Sequence, residues 1–335
     1  GAAGGAQRQF PGHGGSGPEG RERSLRYGAV ILATGGREYR PTEYLYGTDP
    51  RVMTQLELGQ RLQAEPALAA SWQKVVMIQC VGSRNAQNPN CSRICCQSAV
   101  KHALQLKAAT PDLDIVILHR DMRLYGLLED YYTAARDQKV LFERFDPAQP
   151  PQVDVVGDML QVRFWDAILG RWLTRPVDAV ILSAAVVAAD TRDLADTLKL
   201  SRSDQGFWVE FHPKLRPVDG ATEGYYLCGL GHSPRLVKEA AAQGLAAAAR
   251  AGAFLASATQ VINPIVAQVD QGLCVGCLAC ARSCPYQVPR MDEQGRSVID
   301  PALCLGCGVC TGVCPARAIG FAHYSDEQLQ AEMSA

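Results

Sequence analysis

Short apolar runs bounded by glycine, proline or charged residues punctuate the chain, and their length and character predict buried strands. Lys74 to Gln79 (KVVMIQ) and Asp114 to His119 (DIVILH) are apolar on both faces, as strands of a parallel sheet are, and Ser98 to Ala109 between them carries a helical pattern. Strand, loop, helix and strand in that order make a βαβ unit. Tyr27 to Gly36 (YGAVILATGG) reads as another buried strand, running into a glycine turn. Thr222 to Leu230 (TEGYYLCGL) is a similar strand, followed by Gly231, His232, Ser233, Pro234 and a long Ala-rich helix containing Gln243 and Gly244. Gln152 to Pro176 alternates in the manner of an antiparallel meander, and Ser325 with Gln328 forms a capping box for a short tail helix.

At 335 residues the chain is about twice a typical single domain, so more than one folding unit is expected. Hydrophobic residues are 47% and charged residues 20%, with 33 basic against 34 acidic side chains and a formal charge of -1. That balance makes no electrostatic case for nucleic acid or an anionic membrane surface. No apolar run is long enough to cross a bilayer, and no basic-then-apolar leader opens the sequence, which points to a cytoplasmic protein without direct membrane insertion.

The 13 cysteines change the picture. An odd count, heavily clumped, argues against a disulfide framework and for soft metals. Cys274, Cys277, Cys280, Cys284, Pro285 and Cys304, Cys307, Cys310, Cys314, Pro315 both read C-x2-C-x2-C-x3-C-P, at an offset of 30 residues. In that spacing three thiolates from one loop cap one face of a cubane and the fourth reaches the other cluster. One [4Fe-4S] cluster is therefore assigned to Cys274, Cys277, Cys280 and Cys314, and the other to Cys304, Cys307, Cys310 and Cys284. Gly276, Gly306 and Gly308 let the backbone wrap closely and aim amides at sulfur. Zinc knuckles share the C-x2-C element, but zinc wants two pairs, whereas each run offers three close thiols and a displaced fourth. The module has few large apolar residues, so cluster binding must supply much of its folding free energy.

A further cysteine group occupies the first loop of the βαβ unit, where a nucleotide-binding domain carries G-x-G-x-x-G. Here that loop holds Cys80, Cys91, Cys95 and Cys96 in a C-x10-C-x3-C-C pattern, which disfavours tight dinucleotide binding. With a helix starting near Cys91, Cys91 and Cys95 share one face as an i, i+4 pair, Cys96 lies beside them and Cys80 approaches from the strand end. The helix N-terminus with Arg84, Arg93 and Lys101 would favour an anionic cluster. Buried free cysteines packing as small hydrophobes are the alternative, common for one cysteine and improbable for four so close together. Cys228, alone on its strand, reads as packing, and His232 as structural; His119 and His212 have no metal-type spacing.

These segments also carry a family resemblance. VMIQCVGSRNAQNPNCSRICCQSAVKHAL, followed by LYGLLEDYYTAARDQKVLF, resembles the A subunit of the heterodisulfide reductases, the flavin-containing iron-sulfur component of electron-bifurcating complexes. The resemblance extends over residues 28 to 335, through YGTDPRVMTQLEL, FHPKLRPVDGATEGYYLCGLGHSPRLVKEAAAQG and the closing ferredoxin-like repeat. It implies an additional [4Fe-4S] cluster at Cys80, Cys91, Cys95 and Cys96, in a domain shaped like the pyridine-nucleotide half of thioredoxin reductase. The implied fold is α/β: a thioredoxin-reductase-like, two-dinucleotide-binding flavoprotein followed by a bacterial-type two-[4Fe-4S] ferredoxin domain.

In flavoproteins of that type the turn at Ala33, Thr34 and Gly35 lies against FAD, and the segment with Gly229, Leu230, Gln243 and Gly244 is similar to the closing flavin motif, with helix N-terminal amides facing the cofactor. Common members carry Asp where this chain has Leu230, which weakens a polar ribityl contact there. No opening strand with a glycine fingerprint precedes Tyr27, so the flavin domain reads as N-terminally incomplete: either the chain is a fragment, the favoured reading, or a partner polypeptide supplies the adenosine half. The expected organisation is a linker at 1–26, FAD-domain parts at 27–70 and 183–260, an inserted α/β domain at 71–182, the ferredoxin domain at 261–323 and a tail helix at 324–335.

The implied role is electron transfer in a multi-subunit oxidoreductase, with partner subunits such as hydrogenase or formate dehydrogenase modules and ferredoxin as a further candidate. A component of a quinone-interacting, membrane-associated oxidoreductase and an NAD(P)H oxidoreductase like the small subunit of glutamate synthase are the rival readings. The latter needs the nucleotide loop that the cysteines occupy.

Overall fold

The computed structural model describes residues 10–11, 26–198, 200–256, 265–286, 288–301 and 303–334. The linker expected at 1–26 lies, apart from 10–11 and 26, outside the described residues. The chain divides into two compact units, one formed by residues 34–189 with 229–241, the other by the described parts of 1–33, 190–228 and 242–335.

The first unit is built on a five-stranded parallel sheet in the order Val52–Thr54, Ala179–Ala184, Lys74–Val81, Asp114–His119 and Leu141–Arg144. Its strands are Val- and Ile-rich because both faces are covered, so no polar face has to be presented to water. On one face Val75, Met77, Ile115, Ile117, Ala179 and Ile181 pack against the helices Gln55–Ala64, Cys95–Ala109 and Glu129–Asp137. On the other, Val76, Ile78, Val116, Leu118, Val180 and Leu182 pack against an antiparallel three-stranded layer, Gln152–Val156, Met159–Asp166 and Arg171–Val177, through Val153, Leu160, Val162 and Phe164. The alternating segment from Gln152 is that meander.

The register of the central strand carries a local fault. Leu182 pairs with Ile78 and Ala184 with Val81, so Gln79 and Cys80 together face the single residue Ser183. Cys80 absorbs the extra residue with φ at 63°, a left-handed conformation that costs an L-residue about 1–2 kcal/mol. The fault lies at the carboxyl edge of the sheet, where open α/β sheets place their ligands.

A polar group is sealed into the helix-facing core. His102 is 3% exposed, and its Nδ1 donates to Gln55 Oε1 at 2.6 Å, while Gln55 Nε2 donates to Ser183 Oγ at 3.3 Å. Burial, with Lys101 adding to it, pushes the imidazole down to about 4. The unfolded chain therefore binds a proton on this residue between about pH 6.5 and pH 4 that the folded chain does not, and stability falls as the pH is lowered through that window. Acidification from pH 7 to pH 5 is expected to cost about 2 kcal/mol through this residue. Urea midpoints at both pH values, compared between the chain and His102→Gln, check it; an equal pH dependence in the two would refute it.

In the second unit the strand Tyr225–Leu227 pairs in parallel with Val30–Leu32, and the helix Val237–Ala256 runs on from the first unit into this one. Cys228 is buried beside Val218, Tyr226, Ala247 and Ala251, an apolar setting that matches its reading as a packing residue. The same unit holds the cysteine repeat, where Ala267–Val269 pairs with Ile319–Phe321 and Arg290–Met291 with Ser297–Val298, both antiparallel. Its small core is Ala267, Cys280, Cys310 and Ile319, so cysteines occupy places that large aliphatics would fill elsewhere. The tail helix Asp326–Met333 is capped by Ser325 and Gln328 reciprocally.

Candidate iron-sulfur and flavin sites

Each half of the repeat folds as a loop, a left-handed residue and a one-turn helix. Leu278 (φ 64°) precedes Ala279–Ser283 and Gly308 (φ 82°) precedes Val309–Val313, so Cys280 and Cys310 point inward from the helices, while Cys284 and Cys314 follow directly after them. Two cavities result. One is lined by Cys274, Cys277, Cys280 and Cys314 together with Met291 and Ile319. The other is lined by Cys284, Cys304, Cys307 and Cys310 together with Tyr286 and Val288. The displaced fourth cysteine of each run thus stands with the other run's three.

The donor chemistry fits thiolate-bound clusters. Backbone N–H groups already point at sulfur: Ser297 at Cys274 Sγ (3.4 Å), Ala318 at Cys314 Sγ (3.3 Å), and Ala267 and Gly306 at Cys304 Sγ (3.4 Å each). Burial, then the neighbouring Cys304, Cys307 and Cys284, pushes the Cys310 thiol up to about 11. Such a thiol ionises readily only when a cationic centre is bound beside it. Gly276 (φ 66°) is indispensable to the first loop, since a Cβ there would stand 2.4 Å from the Gly295 carbonyl oxygen. No three His, Cys, Asp or Glu side chains among the described residues stand close enough to share a single metal ion; the quartets line wider cavities.

At the carboxyl edge of the parallel sheet the other four cysteines come from three local structures. Cys80 is at the bulged strand end, Cys91 is in the loop, and Cys95 and Cys96 are the first two residues of the helix Cys95–Ala109. The helix begins later than an i, i+4 pairing of Cys91 with Cys95 requires. Arg93, with φ at 60°, breaks the helical path between them, so Cys91 reaches the group from extended chain. The thiols nonetheless feel one another. Burial, then Cys96, raises Cys80 against the pull of Arg84, and Cys95, hydrogen-bonded to Cys96, is raised further by burial and by Cys80 and Cys91. That same bond lowers Cys96, to about 7.

Of the cations expected here, Arg84 is placed to act, with Nη1 at 4.0 Å from Cys80 Sγ and an ion pair to Asp121. Arg93 instead spends its guanidinium on Tyr125 (2.6 Å) and Glu239 (2.6 Å), and contributes its backbone N–H to Cys91 Sγ at 3.3 Å. Lys101 is exposed on the helix. Sequence reasoning missed Arg123, whose backbone N–H lies 3.5 Å from Cys96 Sγ from beyond the next strand, and Gln79 and Ser83, whose buried side-chain polar atoms have no hydrogen-bond partner. Both flank Cys80 in the chain, and buried polar atoms left unpaired in this way call for an explanation. The buried state of Gln79 could have been read from its place in an otherwise apolar strand.

The region 273–318 matches the family model described as a 4Fe-4S dicluster domain. Over most of its length the chain is similar to curated proteins named as heterodisulfide reductase A subunits. It is 36% identical to the A subunit of the Ferredoxin:CoB-CoM heterodisulfide reductase of Methanosarcina acetivorans, covering 92% of this chain and 43% of that protein. It is 36% identical to the A subunit of the H(2):CoB-CoM heterodisulfide,ferredoxin reductase of Methanothermobacter marburgensis, covering 95% of this chain and 50% of that one. The chain belongs to the family of heterodisulfide reductase A subunits. It spans about half the length of the curated relatives it matches. Among solved structures, T. acidophilum thioredoxin reductase overlaps 70% of this chain and 68% of its own at 14% identity, with a TM-score of 0.47, too loose a likeness to rest anything on.

The segments expected to be of flavin type fall in both units. In the first, a Cβ on Gly36 would stand 3.1 Å from Val186 Cγ1 and from the Val187 carbonyl oxygen, and 3.5 Å from Leu230 Cβ, so Leu230 is an ordinary neighbour of the residue after the turn at Thr34 and Gly35. Gly35 (φ 74°) and Gly229 (φ 69°) both border open space. In the second, Ala33 follows the strand Val30–Leu32. Gln243 and Gly244 lie in the second turn of Val237–Ala256, past the helix N-terminus whose amides were expected to face the cofactor. His232 Nδ1 is held by Arg235 Nη2 at 3.0 Å, as a structural histidine is, and His212 Nδ1 accepts from the amides of Lys214 and Leu215 within a turn.

Proposed function

We propose that this chain is the flavin- and iron-sulfur-bearing electron-transfer part of a heterodisulfide-reductase-type oxidoreductase, with three [4Fe-4S] clusters and FAD. The observation that carries the reading is the pair of cavities each lined by a complete cysteine quartet. Bound flavin exchanges two electrons with its redox partner and one at a time with clusters, which conduct single electrons. Cys274, Cys277, Cys280 and Cys314 would hold one cluster, Cys284, Cys304, Cys307 and Cys310 the second, and Cys80, Cys91, Cys95 and Cys96 the third. The turn at Ala33, Thr34 and Gly35 and the segment with Gly229, Leu230, Gln243 and Gly244 would line the flavin.

The protein's own groups supply the setting. Cys280 and Cys310 are buried and keep water from one side of each cavity, whereas Cys277 and Cys307 are exposed and give an incoming redox protein a short path to each quartet. Partner subunits, including hydrogenase or formate dehydrogenase modules, with ferredoxin as exchange partner, would carry the reactions at either end. No helix among the described residues is long and apolar enough to cross a membrane. A reducing, cytoplasmic setting suits the free thiols.

The loop at the end of Lys74–Val81 holds thiols in place of a glycine-rich phosphate cradle, so nicotinamide nucleotides are not the direct electron source. In anaerobic stopped-flow, the reconstituted chain supplied with FAD should be reduced by a low-potential one-electron donor and left oxidised by NADH or NADPH. Rapid bleaching by either nucleotide would overturn the assignment.

A further inference from the structure

Gln79 is 1% exposed, and neither its side-chain nitrogen nor its oxygen has a hydrogen-bond partner. Leaving both ends of an amide unpaired in a core is costly, so the position calls for an acceptor or donor supplied by something else. The fold says where that partner lies. Side chains alternate along a strand, so Gln79 shares the face of Val75 and Met77, and both pack in one cluster with Cys95 and Cys96. The helix Cys95–Ala109 returns antiparallel to the strand, as βαβ crossovers do, which sets its first turn over the strand's carboxyl end, at the level of Gln79. Cys80 is the next residue, and the bulge at Gln79 and Cys80 fixes both opposite Ser183. Ser183 accepts from Gln55 Nε2 and makes no hydrogen bond to Gln79, so it is not the partner.

We propose that Gln79 donates its side-chain N–H to sulfur of the cluster at Cys80, Cys91, Cys95 and Cys96 and thereby raises that cluster's reduction potential; this rests on the third-cluster reading above. Reduction adds negative charge to the iron-sulfur core, and a fixed donor in a dry site stabilises the reduced form more than the oxidised one. Gln79 is a positioning and tuning residue, not a ligand. Ser83, whose buried Oγ also lacks a partner, lies on the same turn, its N–H donating to the Cys80 carbonyl at 3.2 Å. Gln79 nevertheless carries the argument, because both ends of its amide are orphaned.

The test uses the full chain, anaerobically reconstituted, with the EPR signal of the third cluster identified by its absence in a Cys95→Ser/Cys96→Ser variant. Gln79→Met, close in length but without a donor, should keep the iron content and lower the midpoint of that signal by the equivalent of about a tenfold change in the reduction equilibrium, about 59 mV for one electron. The two ferredoxin signals should not move. Pulsed EPR of the unsubstituted chain, isotopically labelled in its glutamine side-chain amides, should show coupling of that nitrogen to the reduced cluster, a readout that does not depend on the variant's folding. An unchanged midpoint in Gln79→Met with its iron intact, or no nitrogen coupling in the labelled chain, would overturn the proposal while leaving the third cluster standing. About eight irons and no third signal in the unsubstituted chain would remove the third cluster itself, and the proposal with it.

Discussion

Replacing Cys95 and Cys96 by Ser should lower the iron bound by the anaerobically reconstituted chain from about twelve to about eight, the difference of one four-iron cubane. Both side chains are buried in the first helical turn, 4% and 2% exposed, with Cys80 and Cys91 brought to them by the bulged strand end and the loop. Serine is only slightly smaller than cysteine and keeps the helix, so the scaffold survives while half the ligand set is gone. The ferredoxin quartets lie in the other compact unit and should keep their spectra. Iron analysis with EPR of the dithionite-reduced protein decides the matter, and about eight irons in both proteins would show that the four cysteines are only packing.

Gly82→Ala is expected to have the next largest effect, on stability and on the third cluster together. Gly82 has φ at 71°, and a Cβ there would lie 2.2 Å from the Tyr39 ring. Tyr39 is no loose neighbour: its ring packs against the core on the meander side of the sheet, and its N–H donates to the Ala185 carbonyl at 2.8 Å. The left-handed backbone contributes about 1–2 kcal/mol and the overpacking about 1–3 kcal/mol. A loss of about 2–5 kcal/mol corresponds to a melting temperature lower by roughly 5–20 °C for a unit of this size. Because Asn88 Nδ2 donates to the Gly82 carbonyl at 3.1 Å, displacement of residue 82 should also spread the cysteine loop and reduce cluster loading there. Calorimetry combined with iron analysis reads both effects; an unchanged melting curve with full iron would show that Tyr39 yields freely.

The ferredoxin-like repeat was legible because its chemistry is local. Eight cysteines within one short stretch, two glycine-bearing loops and one-turn helices dictate which thiols can share a cavity, and little else in the chain has to be known. The parallel strands were legible for a related reason: a run such as DIVILH has no polar face to turn to water, and the strand occupies Asp114–His119 as read. Lys74–Val81 runs two residues beyond the segment read as a strand, through Cys80 to Val81.

What stayed hidden at the other cysteine group depends on chain segments far apart in sequence. Spacing alone put Cys91 on the helix; the left-handed turn at Arg93 takes it off, and no residue type at that position announces such a turn, since Arg enters left-handed backbone only under tertiary constraint. The flavin-type glycines were visible as turn residues, but that Gly36 would have Leu230 as a neighbour depends on a contact across nearly two hundred residues.

The sequence by itself determined which residues are candidates to bind iron, which segments are buried strands, and which loop lacks a glycine fingerprint, because donor chemistry, hydrophobic character and turn chemistry are properties of neighbouring residues. Only the tertiary structure decided how the groups at the sheet edge are aimed. The extra residue opposite Ser183, the left-handed Cys80, the amide of Arg123 at Cys96 and the unpaired amide of Gln79 all arise from registering one strand against another and a helix against both. Register is a collective outcome of packing, since a shift by one residue would turn every buried side chain of a strand to the opposite face.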